Sequence, residues 1–149
     1  MFRVGAYAFE VVDSFRYLGI PINGQGSVST VLASIHQRAA VALAKLCEVV
    51  GALKWDTPWT RLVLFDVYVR SCLTFGAPVW APQALRDHYP RPAPALEQLS
   101  VLHRRGLRLL TGIPVDIRVA VLHAATCRAP LSIPLGKAVW RYFARLDAG

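Results

Sequence analysis

The chain has 149 residues, of which 54% are hydrophobic. A chain of this length corresponds to one domain, and its apolar content is sufficient for a buried core, which excludes disorder throughout. Charge is sparse and unbalanced, with 17 Lys and Arg against 9 Asp and Glu and a net charge of +8.

The excess of positive charge favours a polyanionic partner. Fourteen of the cations are Arg, whose planar guanidinium binds phosphate through a fork and stacks on bases. Residues 101–149 hold eight cations against two acids. This asymmetry predicts a charged face, and the alternative is an arginine-rich composition that decorates solvated helix faces.

Residues 1–22 are predicted to form short strands. Aromatic and β-branched residues cluster at residues 2–4, 7–12 and 15–18, with breaks at Gly5 and Asp13-Ser14. We expect a hairpin and a third strand ending at Gly19. Pro21 and the following Asn23-Gly24 are expected to stop that strand and open a loop.

Apolar residues spaced by three and four predict helices along the rest of the chain. Thr57-Pro58 is a strong helix start, because Thr accepts a hydrogen bond from a free amide and Pro fits the first helical position. Five prolines within residues 77–94 predict a connector that cannot sustain a helix for long. The predicted helices cover residues 29–53, 58–75, 95–110, 116–126 and 135–146.

The fold class predicted from these elements is α+β and mainly α. A short N-terminal antiparallel β-hairpin is followed by a bundle of four to five helices. Three widely spaced cysteines, Cys47, Cys72 and Cys127, are expected to be reduced core thiols of an intracellular protein. The most apolar runs are interrupted by charge, so no membrane span and no membrane partner are expected.

The sequence lacks a constellation for catalysis. Two-metal chemistry on phosphate esters needs carboxylates brought together to hold two Mg²⁺ ions, and here no two acids stand within two positions of each other. His123 and Cys127 are spaced like half of a zinc site, but the other half is absent nearby. We therefore expect no metal, no cofactor and no enzymatic activity of this chain on its own.

Two short motifs and their separation carry a family resemblance. The first is the run of residues 15–22, FRYLGIPI, and the second, about fifty residues later, is FGAPVW at residues 75–80. With the helices between and after them, they resemble the region C-terminal to the polymerase active site in reverse transcriptases of non-LTR (LINE-type) retrotransposons. The residues that match the family motifs are Phe15, Tyr17, Leu18, Gly19, Phe75, Gly76 and Trp80.

The resemblance spans nearly all of residues 2–135 and has two departures. The family usually has Tyr where Phe75 stands, and residues 82–94 are unusually rich in Pro. The resemblance implies that residues 1–22 are closing strands of a palm-like subdomain. It implies that residues 28–149 are a helical, thumb-like domain with the Pro-rich connector at 77–94.

The function implied by the resemblance is a share in RNA-directed DNA synthesis. This part would grip an RNA or RNA/DNA template-primer and pack on the upstream palm and fingers, while Mg²⁺ belongs to the parent polymerase. Backbone contacts hold any nucleotide sequence, and Arg and Lys supply them. The candidate nucleic-acid-binding residues are Arg38, Lys45, Arg104, Arg105 and Arg108.

Two alternative functions remain open from the sequence. Residues 99–126 could form a DNA-binding helix-turn-helix, although Arg118, His123 and Thr126 alone would reach base edges. The chain could also be an all-helical protein-interaction module. Its anchors would be four tryptophans, because buried aromatic residues dominate interfaces: Trp55, Trp59, Trp80 and Trp140.

Overall fold

A computed structural model describes residues 2–4, 7–9, 13–17, 19–23, 28–52, 57–86 and 94–148 of the chain. The predicted fold class is confirmed, since short antiparallel strands at the N-terminus precede a helical bundle. The strands are β1 (Phe2–Val4), β2 (Tyr7–Phe9), β3 (Ser14–Tyr17) and β4 (Ile20–Asn23). The α-helices are α1 (Val28–Ala52), α2 (Pro58–Phe65), α3 (Ser71–Thr74), α4 (Ala77–Arg86), α5 (Pro94–Thr111), α6 (Val119–Thr126) and α7 (Ser132–Asp147).

The strands form two separate two-stranded ribbons, β1 with β2 and β3 with β4. The chain turns at Gly19, whose φ of 82° suits glycine. The expectation that Pro21 stops the strand was wrong, because Pro21 lies within β4 opposite Arg16. A proline is tolerated there since the outer side of a two-stranded ribbon needs no hydrogen-bond donor.

The first two predicted helices are confirmed, and the second contains a π-helical segment. α1 buries one stripe of apolar side chains, from Val31 to Val50. Thr57 caps α2 by accepting a hydrogen bond from the Thr60 amide at 3.3 Å. The π-helical segment Asp66–Arg70 joins α2 to α3, so the helical backbone continues from residue 58 to residue 74.

The Pro-rich connector departs from expectation, because residues 77–86 form α4. Pro78 occupies the first turn, where no amide donor is required. Pro82 lies inside the helix, and α4 is retained because Trp80, Ala81 and Ala84 are buried in the core. Tertiary packing thus overrides the local cost of proline. When the continuous stretch from α2 to α3 is counted as one helix, the described residues contain six helices, where four to five were predicted.

α1 is the central helix of the bundle, packing against α5 and the segment from α2 to α3, while α7 packs mainly on α4. The close approach of α5 depends on Gly106, where an added Cβ would overlap the Phe65 ring and touch Leu43. Within the described ranges, no single helix has the length and apolar character to cross a bilayer. The pair Pro58–Thr74 and Ala77–Leu85 has them jointly, with a bend of 68° between the two parts.

Candidate nucleic-acid interface

The two sequence motifs meet in space. Ile20, from the first motif, is buried in the core and lies against Gly76, from the second, so closely that a Cβ on Gly76 would overlap the Ile20 side chain. Gly76 also has a φ of 63°, which favours glycine. The β3–β4 hairpin is therefore seated on the turn between α3 and α4.

Trp80 fixes the shape of that turn. Its side chain is 2% exposed, and its indole Nε1–H donates a hydrogen bond to the Phe75 carbonyl oxygen at 2.9 Å. Phe75, by contrast, keeps a partly exposed ring. The spacing between Phe75 and Trp80 thus has a structural reason, which is closure of the α3–α4 turn.

Arg38 lies at the junction of the two motifs. Its guanidinium carbon is 5.6 Å from the centre of the Phe75 ring, a cation–π distance. An open groove of about 450 Å³ runs between the hairpin and α1 and is lined by Arg16, Gly19, Ser34, Gln37, Arg38 and Val41. A second depression of about 190 Å³ continues past Arg38 to Ser71, Cys72 and Phe75.

Lys45 extends this basic flank. It is exposed on α1, seven residues beyond Arg38, so the two side chains share one side of the helix about 10 Å apart along its axis. Arg16 was not among the predicted candidates, although it stands within the first motif. The groove therefore adds Arg16 to Arg38 and Lys45 as cations on one surface.

The remaining predicted cations do not join that surface. Arg105 is exposed, and its charge acts on Cys47, which lies two residues and about 200° around α1 from Lys45. Burial raises the pKa of the Cys47 thiol, and the Arg105 charge opposes that rise. Arg105 belongs to α5 and does not line the groove beside Arg38.

Arg104 and Arg108 are engaged within the protein. Arg104 donates a hydrogen bond to the Glu97 carboxylate at 2.6 Å. Arg108 donates to the Ile117 carbonyl oxygen at 2.9 Å and so ties the end of α5 to the segment before α6. A phosphate contact by either arginine would compete with these bonds.

A second polar cluster surrounds the π-helical segment. Asp66 accepts a hydrogen bond from Arg70 at 3.2 Å, and the Arg128 Nε lies 2.6 Å from its other carboxylate oxygen. The Arg128 guanidinium also lies over the Trp59 ring, 5.3 Å from its centre. This cluster holds the turn after α6 against α2 and the π-helical segment. Such segments are frequent at functional sites, and here the segment has a structural role.

His103 is buried beside this cluster without a hydrogen-bond partner at either ring nitrogen. Its ring lies 5.5 Å from the Phe65 ring and 6.0 Å from the His123 ring, measured between centroids. Burial, with a further contribution from the Arg70 charge, lowers the pKa of His103 to about 4. The imidazole is neutral at pH 7 and acts as core packing.

The helix-turn-helix alternative gains little from the geometry of α6. Thr126 is buried and donates to the Leu122 carbonyl oxygen, and His123 Nδ1–H donates to the Arg128 carbonyl oxygen at 2.8 Å. Of the three side chains that a recognition helix would use, Arg118 remains exposed.

An interaction module needs exposed anchors, and of its four proposed tryptophans Trp59 and Trp140 are exposed. Trp80 is buried and serves the α3–α4 turn, and Trp59 is exposed but covered on one face by Arg128. Trp140 is freely exposed. Trp55 lies outside the described residues, as does Leu18 of the family motif, and the side chain of Tyr17 is likewise not described.

Among the described residues, no cluster of donors matches the Mg²⁺ ions that the resemblance assigns to the parent polymerase. In the part of the chain that the structure describes, no three His, Cys, Asp or Glu side chains come together at a possible metal site. Cys47 and Cys72 are half-buried free thiols. Cys127 was expected in the core, but it is exposed in a left-handed conformation after α6.

Comparison with known proteins shows a similarity to a retrotransposon protein. The chain is 29% identical over 140 residues to the "Putative 115 kDa protein in type-1 retrotransposable element R1DM" of Drosophila melanogaster. The chain is related to a retrotransposon protein. The match covers 88% of this chain but 14% of that protein's length. No protein-family model matches the chain, and no solved structure matches it.

Proposed function

We propose that this chain is the template-primer-gripping part of a non-LTR retrotransposon reverse transcriptase. In this proposal it holds an RNA or RNA/DNA duplex for the parent's palm and fingers and performs no phosphoryl transfer itself. The similarity to a retrotransposable-element protein supports the origin. The observation that carries the gripping role is the junction of the two motifs around Arg38.

The junction has the chemistry of a backbone contact. Arg38 and Arg16 line an open groove together with Ser34 and Gln37, which add polar hydrogen-bonding groups. Lys45 continues the positive charge along α1. Such a surface neutralises phosphates without reading bases, so it would hold any sequence and let it slide.

The proposal predicts a salt-dependent affinity that depends on this flank. Fluorescence anisotropy should detect binding of a random-sequence RNA/DNA hybrid by the full 149-residue chain. Replacing Arg38 and Lys45 together with Gln should weaken binding to all sequences alike. It should also lower the magnitude of the slope of log K against log salt by about 1–2, because each phosphate contact on B-DNA contributes about 0.9.

A matched control removes the same charge elsewhere. The Arg105→Gln/Arg118→Gln double variant changes two exposed arginines outside the junction and should retain most of the slope. Equal loss in both double variants would show diffuse attraction to a basic surface and contradict a grip at the junction. An unchanged slope and affinity for the Arg38/Lys45 variant would also refute the proposal.

A further inference from the structure

α7 carries a basic row that the site above does not use. Lys137, Arg141 and Arg145 are four residues apart, so they follow one another along one side of the helix, about 6 Å apart along its axis. All three are exposed. Unlike Arg70, Arg104, Arg108 and Arg128, they have no ion-pair or hydrogen-bond partner among the described residues.

Aromatic side chains flank this row on both sides. Trp140 follows Lys137 by three residues and Tyr142 precedes Arg145 by three, and such pairs are neighbours on a helix surface. Trp140 is 72% exposed and Tyr142 is 47% exposed. From Lys137 to Arg145, α7 therefore presents a row of cations with Trp140 at one edge and Tyr142 at the other edge, where the row meets the apolar stripe of Leu135 and Val139.

We propose that the outer face of α7 binds a single nucleic-acid strand. The strand's phosphates would lie along Lys137, Arg141 and Arg145, and an unpaired base would stack on Trp140. Single-strand sites combine a basic track with aromatic platforms in this way. This inference rests on α7 alone and does not require the duplex grip at Arg38.

A strand fits α7 better than a lipid surface does. An interfacial helix lays one apolar face into the bilayer along its length. On α7 the first part of that face is occupied, because Leu135 is buried and Val139 packs against the core. Trp140 and Lys137 instead lie about 140° and 160° around the helix from Leu135, and Arg141 and Arg145 lie about 120° and 80° from it, so the row is farthest from the packed stripe at Lys137.

The decisive variant is Trp140→Leu, which keeps an apolar helical residue but removes the stacking ring. Binding of fluorescein-labelled (dT)15 to the full chain should weaken by about 5- to 150-fold, the range for loss of one stacked base. The slope of log K against log salt should stay the same. Phe143→Leu is the control: Phe143 is a half-exposed aromatic that neighbours Trp140 on the same helix, but it lies about 160° from Arg141 and Arg145 and therefore off the proposed phosphate track; it should bind as wild type.

The basic row is tested separately from the ring. Replacing Lys137, Arg141 and Arg145 with Gln should reduce the single-strand salt slope by about 2, because each contact on a single strand contributes about 0.7. Hybrid-duplex binding that depends on Arg38 and Lys45 should survive Trp140→Leu, so failure of the duplex grip and failure of the α7 site are distinguishable. All these side chains are exposed, and circular dichroism should show unchanged folding.

Three outcomes would overturn the α7 proposal. The first is wild-type affinity of Trp140→Leu for (dT)15. The second is an equal loss in Phe143→Leu, which would indicate general disturbance of the helix. The third is binding to vesicles of phosphatidylcholine and phosphatidylserine that the triple variant abolishes while its oligonucleotide binding is unchanged, which would assign the face to a membrane surface.

Discussion

At the scale of single residues, partners decide what each polar group does. Asp66 joins Arg70 and Arg128, and the partly buried surroundings make such contacts stronger than exposed ion pairs. Arg104 and Arg108 were predicted as phosphate ligands from the family resemblance and their positive charge. Spacing places a cation on a helix side, but it does not reveal a competing partner such as Glu97 or the Ile117 carbonyl.

His103 predicts a pH dependence of stability. Its folded-state pKa of about 4 lies below the usual 6.5 of the unfolded chain, so the unfolded state binds more protons between these values. Stability contributed by neutral His103 is present above pH 6.5 and is lost as the pH falls toward 4. The difference amounts to about 3 kcal/mol in the free energy of unfolding.

Urea unfolding at pH 7 and pH 4.5 measures this effect by comparison with a variant. His103→Leu should lose less stability than wild type over this interval, because the buried titrating group is gone. His36→Gln, on a half-exposed position of α1, should keep the wild-type pH dependence. If wild type and His103→Leu lose equal stability, the buried histidine is not the cause of the acid sensitivity.

At the scale of elements, periodicity and capping were sufficient for most helices, and packing was needed for the rest. α1, α5 and the start of α2 follow from apolar spacing and from Thr57-Pro58. α4 does not, because Pro82 is unfavourable inside an isolated helix and the compensation comes from burial of Trp80 and Ala84. Such long-range contacts are invisible in a local pattern.

Substitution by alanine is expected to have opposite effects on stability at two helical glycines, Gly106 and Gly136. Gly106→Ala should destabilise the fold by about 1–3 kcal/mol, because the new methyl group overlaps the fully buried Phe65 ring of α2 where α5 packs against α2 and α1. Gly136→Ala in α7 has open space around the added Cβ and should stabilise by about 0.5–1 kcal/mol.

Thermal or urea unfolding of the two glycine variants gives the comparison directly. Both substitutions lower the entropy of the unfolded chain equally, so their difference isolates the steric term where α5 meets Phe65 of α2 and Leu43 of α1. A stabilising Gly106→Ala would mean that α5 can move away from these two side chains at little cost. The close packing at Phe65 would then have no energetic importance.

At the scale of the whole molecule, the contact between the two motifs joins the hairpin to the bundle. The sequence placed Gly19, Phe75, Gly76 and Trp80 in a family pattern but could not indicate that the motifs touch. Fifty residues separate them, and neither run contains a signal for the other. The groove with Arg16 and Arg38 arises from that contact, so the candidate site could be only partly predicted.

Alanine substitutions at Gly76 and Gly112 measure this contact between the motifs. Gly76→Ala should destabilise by more than Gly112→Ala, although both glycines have a positive φ, of 63° and 74°. At Gly112 the new Cβ meets open space, whereas at Gly76 it overlaps Ile20. The common cost of the left-handed backbone is about 1–2 kcal/mol, and the excess at Gly76 reports the hairpin contact.

A double-mutant cycle then assigns that excess to Ile20. Ile20→Ala should cost about 2–5 kcal/mol because it empties a buried position. In its background, Gly76→Ala should cost about as much as Gly112→Ala, since the overlapping methyl group is gone, which gives a coupling of about 0.5–3 kcal/mol. Additive effects in urea unfolding would mean that the hairpin is not seated on the α3–α4 turn, and the groove around Arg38 would lose its second wall.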